Sequence, residues 1–302
     1  MSTVAERKAT RNGRIAMLGA GLAWSTAGLG QHALDATPAT DVAGRALFAF
    51  LTLLVIVLLT EGPKALSSLR SLGFDGIVLA LCLAISSGTF MLALNYTTVA
   101  NVLFFMAAAP FLAAVLGRVI LSDRISRRTG AAMGIAAAGV AIMVVGSLDA
   151  GVLTVFLPIL MTATFAVVIV ITRYRREVSM MPATCLSQGL IVVVVGPFAS
   201  FGSATASDWR IFVVLGVLQM GFGLTLLTIG ARALPPAEVA LLAMIEVVLG
   251  PLWVWLAYAE QPATATLVGG TVVSVAVIVQ ATAREDSGQI EPERAVPAAS
   301  PD

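Results

Sequence analysis

The chain has 302 residues, of which 58% are hydrophobic and only 12% are charged, and its formal net charge is +1. Soluble domains carry about a quarter charged residues, so this composition excludes an ordinary soluble protein and indicates a polytopic helical membrane protein. The near-neutral charge gives no indication of a nucleic-acid partner. The two cysteines, Cys82 and Cys185, lie in apolar runs and fit neither a disulfide framework nor a metal pattern.

A polar, basic segment over residues 1–12 opens the chain and is predicted to be a cytoplasmic tail. Ten apolar runs follow, each close to the ~20 residues that a helix needs to cross a bilayer. The predicted spans are residues 13–34, 40–60, 75–96, 99–121, 129–147, 152–172, 183–202, 209–230, 237–259 and 263–283. A closing tail over residues 284–302 is rich in proline, serine and charge and is predicted to be disordered.

The basic residues predict the orientation of the chain, because cytoplasmic loops carry an excess of lysine and arginine. With the N-terminus inside, all but two of the 18 lysines and arginines fall in inner segments. The exceptions are Arg210 in an outer loop and Arg45 within the second span. Ten spans with both termini in the cytoplasm are therefore expected.

Two stretches of the chain indicate an internal repeat. Ala100–Asp123 aligns without gaps on Ala237–Glu260, and whole apolar blocks keep the same spacing in both halves. Residues 13–147 and 148–283 are thus predicted to be two five-helix repeats. Because five is odd, the second repeat must run inverted relative to the first, an arrangement found in secondary transporters.

Small residues and prolines inside the spans predict packing faces and kinks. The predicted packing face of the fifth span is formed by Gly130, Gly134 and Ala138. The prolines inside predicted spans are Pro110, Pro158, Pro197 and Pro251.

Several motifs together resemble the drug/metabolite transporter superfamily, of the EamA type. They are Leu22–Ser25 (LAWS), Arg45 in GRALFAFLTLL, Ala93–Thr97 (ALNYT), the acidic turn Ser122–Ser126 (SDRIS) and its second copy, Ala257–Pro262 (AYAEQP). Asp123 stands where that family usually has glutamate. The sixth span offers Thr164-Phe165 where the first has Trp24, so an asymmetric cavity is expected. The resemblance implies a ten-helix metabolite carrier, usually an exporter of the bacterial inner membrane.

Glu246, near the middle of the ninth span, is the first candidate functional residue, since ionisable groups inside membranes usually face a cavity. It either carries a coupling proton or receives a substrate ammonium group. The alternative is a carboxyl hydrogen-bonded between helices without a part in transport.

Arg45 and Trp24 are further candidates. Arg45 is expected close to the outer interface, where its guanidinium suits a substrate carboxylate; the alternative is an arginine tied to Asp41 or Asp35. Trp24 either forms a wall of the cavity that stacks on substrate or serves as a packing aromatic.

Polar residues in other spans complete the candidate set. Asn95 and Tyr96 lie at the turn between spans three and four and either gate the exit or complete the turn. Gln188 and Gln219 either bind substrate or hydrogen-bond between helices. The only histidine, His32, is expected to be an interfacial polar residue, and Trp253 and Trp255 interface anchors. These three are left out of the predicted site.

These features predict a secondary transporter that exports amino acids or related amphipathic compounds by alternating access, with proton coupling as an option. A multidrug or cation exporter of the same superfamily is the alternative, and a non-transporting receptor is another. An intramembrane enzyme is not expected, because no HExxH motif, paired aspartates or serine–histidine pair is found. No cofactor or metal is expected. The expected partners are a small-molecule substrate and the bilayer, while the oligomeric state is left open.

Overall fold

The computed structural model describes residues 4–62, 72–120, 127–174, 181–234 and 236–287, and over these ranges it is helical and contains no strand. The α-helices are α1 (Val4–Ser25), α2 (Ala27–His32), α3 (Pro38–Glu61), α4 (Gly73–Ala93), α5 (Val99–Ala107), α6 (Ala109–Ile120), α7 (Arg127–Ser147), α8 (Val152–Tyr174), α9 (Met181–Val195), α10 (Ala206–Val213), α11 (Gly223–Ala233), α12 (Pro236–Tyr258) and α13 (Thr264–Ser287). A π-helical segment, Val214–Phe222, joins α10 to α11.

These elements follow the ten predicted apolar runs in order. Within the described ranges, seven helical segments are long and apolar enough to cross a membrane, and α12 and α13 contain shorter apolar stretches. The prediction of an all-α polytopic membrane protein is therefore confirmed. The first run begins earlier than predicted, since α1 starts at Val4, inside the segment expected to be a tail.

Proline positions explain where several helices break or end. The fourth run divides at Ala108, two residues before Pro110, and α9 ends at Val195, two residues before Pro197. A proline lacks the N–H that would continue the helical hydrogen bonds. Pro158 and Pro251 are accommodated inside α8 and α12. The acidic turn at residues 122–126 lies outside the described ranges. Of the tail predicted to be disordered, residues 284–287 instead continue α13, and residues 288–302 lie outside the described ranges.

The close contact between α7 and α13 uses a different face of α7 from the one predicted. An added Cβ on Gly139 would lie 2.6 Å from the carbonyl oxygen of Gly269, whereas Cβ atoms on Gly130 and Gly134 would meet nothing within 4 Å. Ala138 is exposed. The predicted face was wrong because α7 is small and apolar on every side, so its periodicity does not single out one face. The buried residues of α7 are Ala132, Ala136, Gly139, Met143 and Ser147.

The two halves of the chain interleave rather than pack as separate units. In the most extensive contacts, α7 packs on α13, α4 on α8, α1 on α11, α3 on α9 and α1 on α12. Each of these pairs joins a helix of residues 13–147 to a helix of residues 148–283. Polar residues of the two halves can therefore meet along the middle of the bundle.

Candidate functional site

Six polar or aromatic side chains from both halves converge inside the bundle. We call them the central polar cluster: Trp24, Arg45, Ser87, Gln188, Gln219 and Glu246. They come from α1, α3, α4, α9, the π-helical segment and α12. Five of the six were predicted as site residues, and Ser87 joins them through its contacts.

Arg45 is the centre of this cluster. Arg45 is only 5% exposed, although it lies just seven residues after Pro38, where α3 begins. Its Nε donates to the side-chain oxygen of Gln219 at 3.1 Å, and its Nη1 donates to the hydroxyl of Ser87 at 3.2 Å. The predicted depth of Arg45 close to the outer interface stays a prediction, and its side chain points into the bundle. The two hydrogen bonds fix the guanidinium between the halves.

Glu246 faces Arg45 from α12. It is 7% exposed and interacts electrostatically with Arg45, although the two do not form a direct ion pair in the described part of the chain. Charges separated in this way still attract strongly where water is scarce. Among the described residues, none donates a hydrogen bond to the Glu246 carboxyl group. A basic and an acidic side chain are therefore held in the same buried region.

The backbone around Gln219 is wound unusually. Gln219 lies in the π-helical segment, a conformation that is rare and often found at functional sites. Its side-chain Nε2 donates to the carbonyl oxygen of Trp24 at 3.3 Å. In return, the indole Nε1 of Trp24 donates to the backbone carbonyl oxygen of Gln219 at 2.8 Å. This exchange joins α1 to the second half of the chain and orients the amide toward Arg45.

Gln188 reaches the cluster from α9 and is fully buried. Its Nε2 donates to the Ser87 hydroxyl at 3.4 Å and to the Ser187 hydroxyl at 3.3 Å. Its Oε1 has no donor among the described residues. A buried amide oxygen without a donor is unusual in proteins, so this atom is available to a ligand or water.

Asn95 and Tyr96 lie apart from the central polar cluster, just beyond the end of α4. The Asn95 amide donates to the carbonyl oxygen of Met91 at 3.1 Å and also interacts with Asp41. Tyr96 is 45% exposed, and its carbonyl oxygen accepts from Thr154. The predicted site thus divides, and these two residues belong to the end of the bundle that the charge distribution predicts to be outer.

A second group of polar contacts at this outer end was not predicted from the sequence. The Gln31 amide donates to the buried carboxylate of Asp41 at 2.8 Å. His32 and Glu260 are in contact, with 2.9 Å between Nε2 and Oε2. The second oxygen of Glu260 accepts from the backbone N–H of Val99 at 2.9 Å. Both acidic residues are visible in the sequence, but the partners of Glu260 lie far from it along the chain, since Val99 is 161 residues away.

Trp253 also occupies a different position from the one predicted. Its indole N–H donates to the hydroxyl of Ser25 at 3.1 Å, so the ring points toward α1 instead of anchoring the interface. Trp255, two residues further, is 52% exposed, as expected for an anchor facing lipid. Residues two positions apart on an α-helix point in nearly opposite directions. The sequence does not show which of the two tryptophans faces inward.

Comparisons with known proteins show what the chain resembles. Residues 11–145 match the EamA-like transporter family. No curated protein matches the chain significantly, whereas 27 chains among solved structures do. One of these, described only as a crystal structure of a protein, aligns with a TM-score of 0.63 and 18% identity, over 91% of this chain and 98% of its own. At that identity the likeness shows the fold alone. Over residues 11–145, the chain is therefore similar to the EamA-like transporter family.

Proposed function

We propose that this transporter exports amino acids or related amphipathic metabolites across the bacterial inner membrane by alternating access, with both termini in the cytoplasm. The observation that carries the proposal is the pairing of Arg45 with Glu246 in one buried cluster between the halves. Charged groups inside a membrane are costly and usually serve a function. Two of opposite sign suit a substrate that carries both a carboxylate and an ammonium group.

Each end of an amino acid has a partner in the cluster. The Arg45 guanidinium has N–H groups beyond those given to Gln219 and Ser87, and its planar fork suits a carboxylate. The Glu246 carboxyl group and the unpartnered Oε1 of Gln188 are acceptors for an ammonium group. The Trp24 ring would lie beside the substrate, held in place by its bonds to Gln219.

The internal repeat supports alternating access as the mechanism. Each of the first five apolar runs corresponds to the run five places later. Thus α1 in the first run corresponds to α8 in the sixth, and α4 in the third run corresponds to α11 in the eighth. Exchanging the halves therefore turns the α1–α11 contact into the α4–α8 contact. It leaves the α3–α9 and α7–α13 contacts unchanged. All four are among the most extensive contacts of the fold. Two inverted halves related in this way can pack equally well in an inward-open and an outward-open form.

A cation exporter is the second candidate, and one observation favours it. The carboxyl group of Glu246 accepts no hydrogen bond from another described residue, whereas Arg45 is already bonded to Gln219 and Ser87. A lone ammonium or drug cation could therefore bind Glu246 without engaging Arg45. Proton coupling would follow if the same carboxyl group bound a proton and the cation in turn.

Counterflow in proteoliposomes tests both candidates. The purified chain would be assayed with labelled neutral amino acids and labelled organic cations, for the wild type and for Glu246→Gln and Arg45→Gln. An amino-acid exporter requires saturable amino-acid exchange that both substitutions impair. A cation exporter predicts cation exchange that only Glu246→Gln abolishes. Exchange of neither class would contradict both candidates.

A further inference from the structure

His32 is placed between two hydrogen-bond acceptors. Its Nδ1 lies 3.0 Å from the backbone carbonyl oxygen of Gly28, one turn earlier in α2. Its Nε2 lies 2.9 Å from Oε2 of Glu260, beyond the end of α12. A carbonyl oxygen can only accept, and so can an ionised carboxylate. Neutral imidazole carries a single N–H and cannot donate to both.

This geometry requires one additional proton. Either His32 is an imidazolium that donates from both ring nitrogens, or Glu260 is protonated and donates from Oε2 to Nε2. The other carboxyl oxygen, Oε1, accepts from the Val99 N–H at 2.9 Å, and Oε2 is the oxygen that faces the imidazole ring. In both cases the pair binds one proton more than a neutral histidine and a carboxylate do together.

The pair also connects three parts of the fold. His32 ends α2 in the first half, Glu260 follows α12 in the second half, and Val99 provides one of the free N–H groups that begin α5. Tyr258 adds a ring contact to His32, with centroids 5.1 Å apart. The side chains of His32 and Glu260 keep exposures of 27% and 16%, so protons from solution can reach them.

We propose that His32 and Glu260 form a proton-binding latch that closes the outer end of the bundle, and that loss of its proton opens it. The inference goes beyond the proposed function because it does not depend on which substrate is carried. The closed form binds one proton more than a form in which the pair has separated. By linkage, raising the pH favours the open form and lowering it favours the closed form. Histidine is suited to this, since its charge changes between about pH 5 and 8.

The other titratable groups near His32 either contact only the face of its ring or form hydrogen bonds with other residues. Tyr258 from α12 contacts the ring face. Asp208 of α10 accepts from the backbone N–H of Asp35 and from Thr205, and Asp41 of α3 accepts from Gln31. The π-helical segment that also packs on α2 contains no titratable residue. Glu260 is thus the acid that contacts the imidazole directly.

The protonation state can be read directly, because His32 is the only histidine in the chain. The full chain, purified without a histidine tag and held in lipid nanodiscs, would give one pair of imidazole ¹⁵N resonances. Acidic conditions should show either an imidazolium or a neutral ring that accepts a proton from Glu260, and this state should be lost in one step as the pH rises. A ring that binds no additional proton, on either partner, at any pH from 5 to 9 would overturn the proposal.

Opening can be measured between spin labels at Ala33 and Gln261, two exposed positions beside the latch, after Cys82 and Cys185 are replaced by alanine. The ratio of long to short distances should rise by up to about tenfold per pH unit, the limit for release of one proton. A distance distribution that stays unchanged while His32 titrates would show that the pair does not close the bundle.

Glu260→Gln tests whether the contact between the two side chains depends on the additional proton. The glutamine oxygen can still accept from Val99, and its NH₂ group can donate to a neutral His32 ring, so the latch needs no additional proton. We expect the closed distance to persist at every pH in this variant, while His32→Ala should remain open. Glu238→Gln is the matched control. Glu238 of α12 pairs with Arg14 of α1, at the end of the bundle opposite to the latch. The control should keep the pH response of the wild type, and a Glu260→Gln variant that still opens with pH would refute the latch.

Discussion

Trp24 and Gln219 exchange two hydrogen bonds across the two halves of the chain. The indole N–H donates to the carbonyl oxygen of Gln219, and the Gln219 amide donates to the carbonyl oxygen of Trp24. The same amide accepts from Arg45 through its oxygen. One glutamine in a π-helical segment thus connects the backbone of α1 to the buried guanidinium, and the position of Arg45 depends on it.

Replacing Trp24 with phenylalanine should weaken this connection. The variant keeps an aromatic ring but leaves the Gln219 carbonyl oxygen without its donor. Loss of a buried hydrogen-bond partner costs about 1–3 kcal/mol, so the free energy of unfolding should fall by that amount. Denaturant unfolding in detergent measures it. The matched control is Trp255→Phe, because Trp255 is 52% exposed; an equal loss in both variants would contradict the role assigned to Trp24.

Arg45 and Glu246 should be energetically coupled. Each single substitution, Arg45→Gln or Glu246→Gln, leaves a buried charge without its opposite, whereas the double variant removes both charges. The double variant should therefore lose less stability than the two single losses combined, with a coupling of about 0.5–3 kcal/mol. Unfolding of the three variants in detergent gives this double-mutant cycle. Strict additivity would show that the two charges do not influence each other.

The outcome for these residues shows what the sequence could predict about the site. Arg45, Glu246, Gln188 and Gln219 were recognisable because polar side chains inside apolar runs stand out. Which of them meet was not predictable, since Arg45 and Gln219 lie 174 residues apart. Asn95 was expected at the turn between spans three and four; it lies just beyond α4, but its interaction with Asp41 could not be predicted.

The same limit applies to the faces of the helices. The number and order of the apolar runs could be predicted, because the bilayer sets their length and composition. Their orientation could not, because helices that are apolar all round show no preferred face. Gly134 was therefore predicted to pack although it faces open space, and Trp253 was predicted to anchor the interface although it contacts Ser25.

Gly216 is required where the π-helical segment crosses α3. An added Cβ would lie 2.4 Å from the Phe48 Cβ and 2.7 Å from the backbone nitrogen of Ala49. Backbone cannot move aside as a flexible side chain can, so Gly216→Ala should separate the two helices. We expect a loss of about 1–3 kcal/mol, typical of overpacking, together with reduced transport. Gly134→Ala has open space around the added methyl group and should be neutral or stabilising. Comparable losses in both variants would exclude the close crossing as the cause.

Ala259 turns the chain so that Glu260 reaches Val99 and His32. Its φ is 54°, which makes it the one non-glycine residue with a positive φ in the described ranges. The left-handed region costs an L-residue roughly 1–2 kcal/mol, while glycine adopts it without that penalty. Because glycine also gains freedom in the unfolded chain, Ala259→Gly should raise the free energy of unfolding by about 0.5–1 kcal/mol net. Ala257→Gly, two residues earlier within α12, should instead lower it by about 1 kcal/mol, because glycine disfavours helix. Unfolding curves of the two variants in detergent should therefore shift in opposite directions, and a shift of both to lower stability would contradict the strained turn before Glu260.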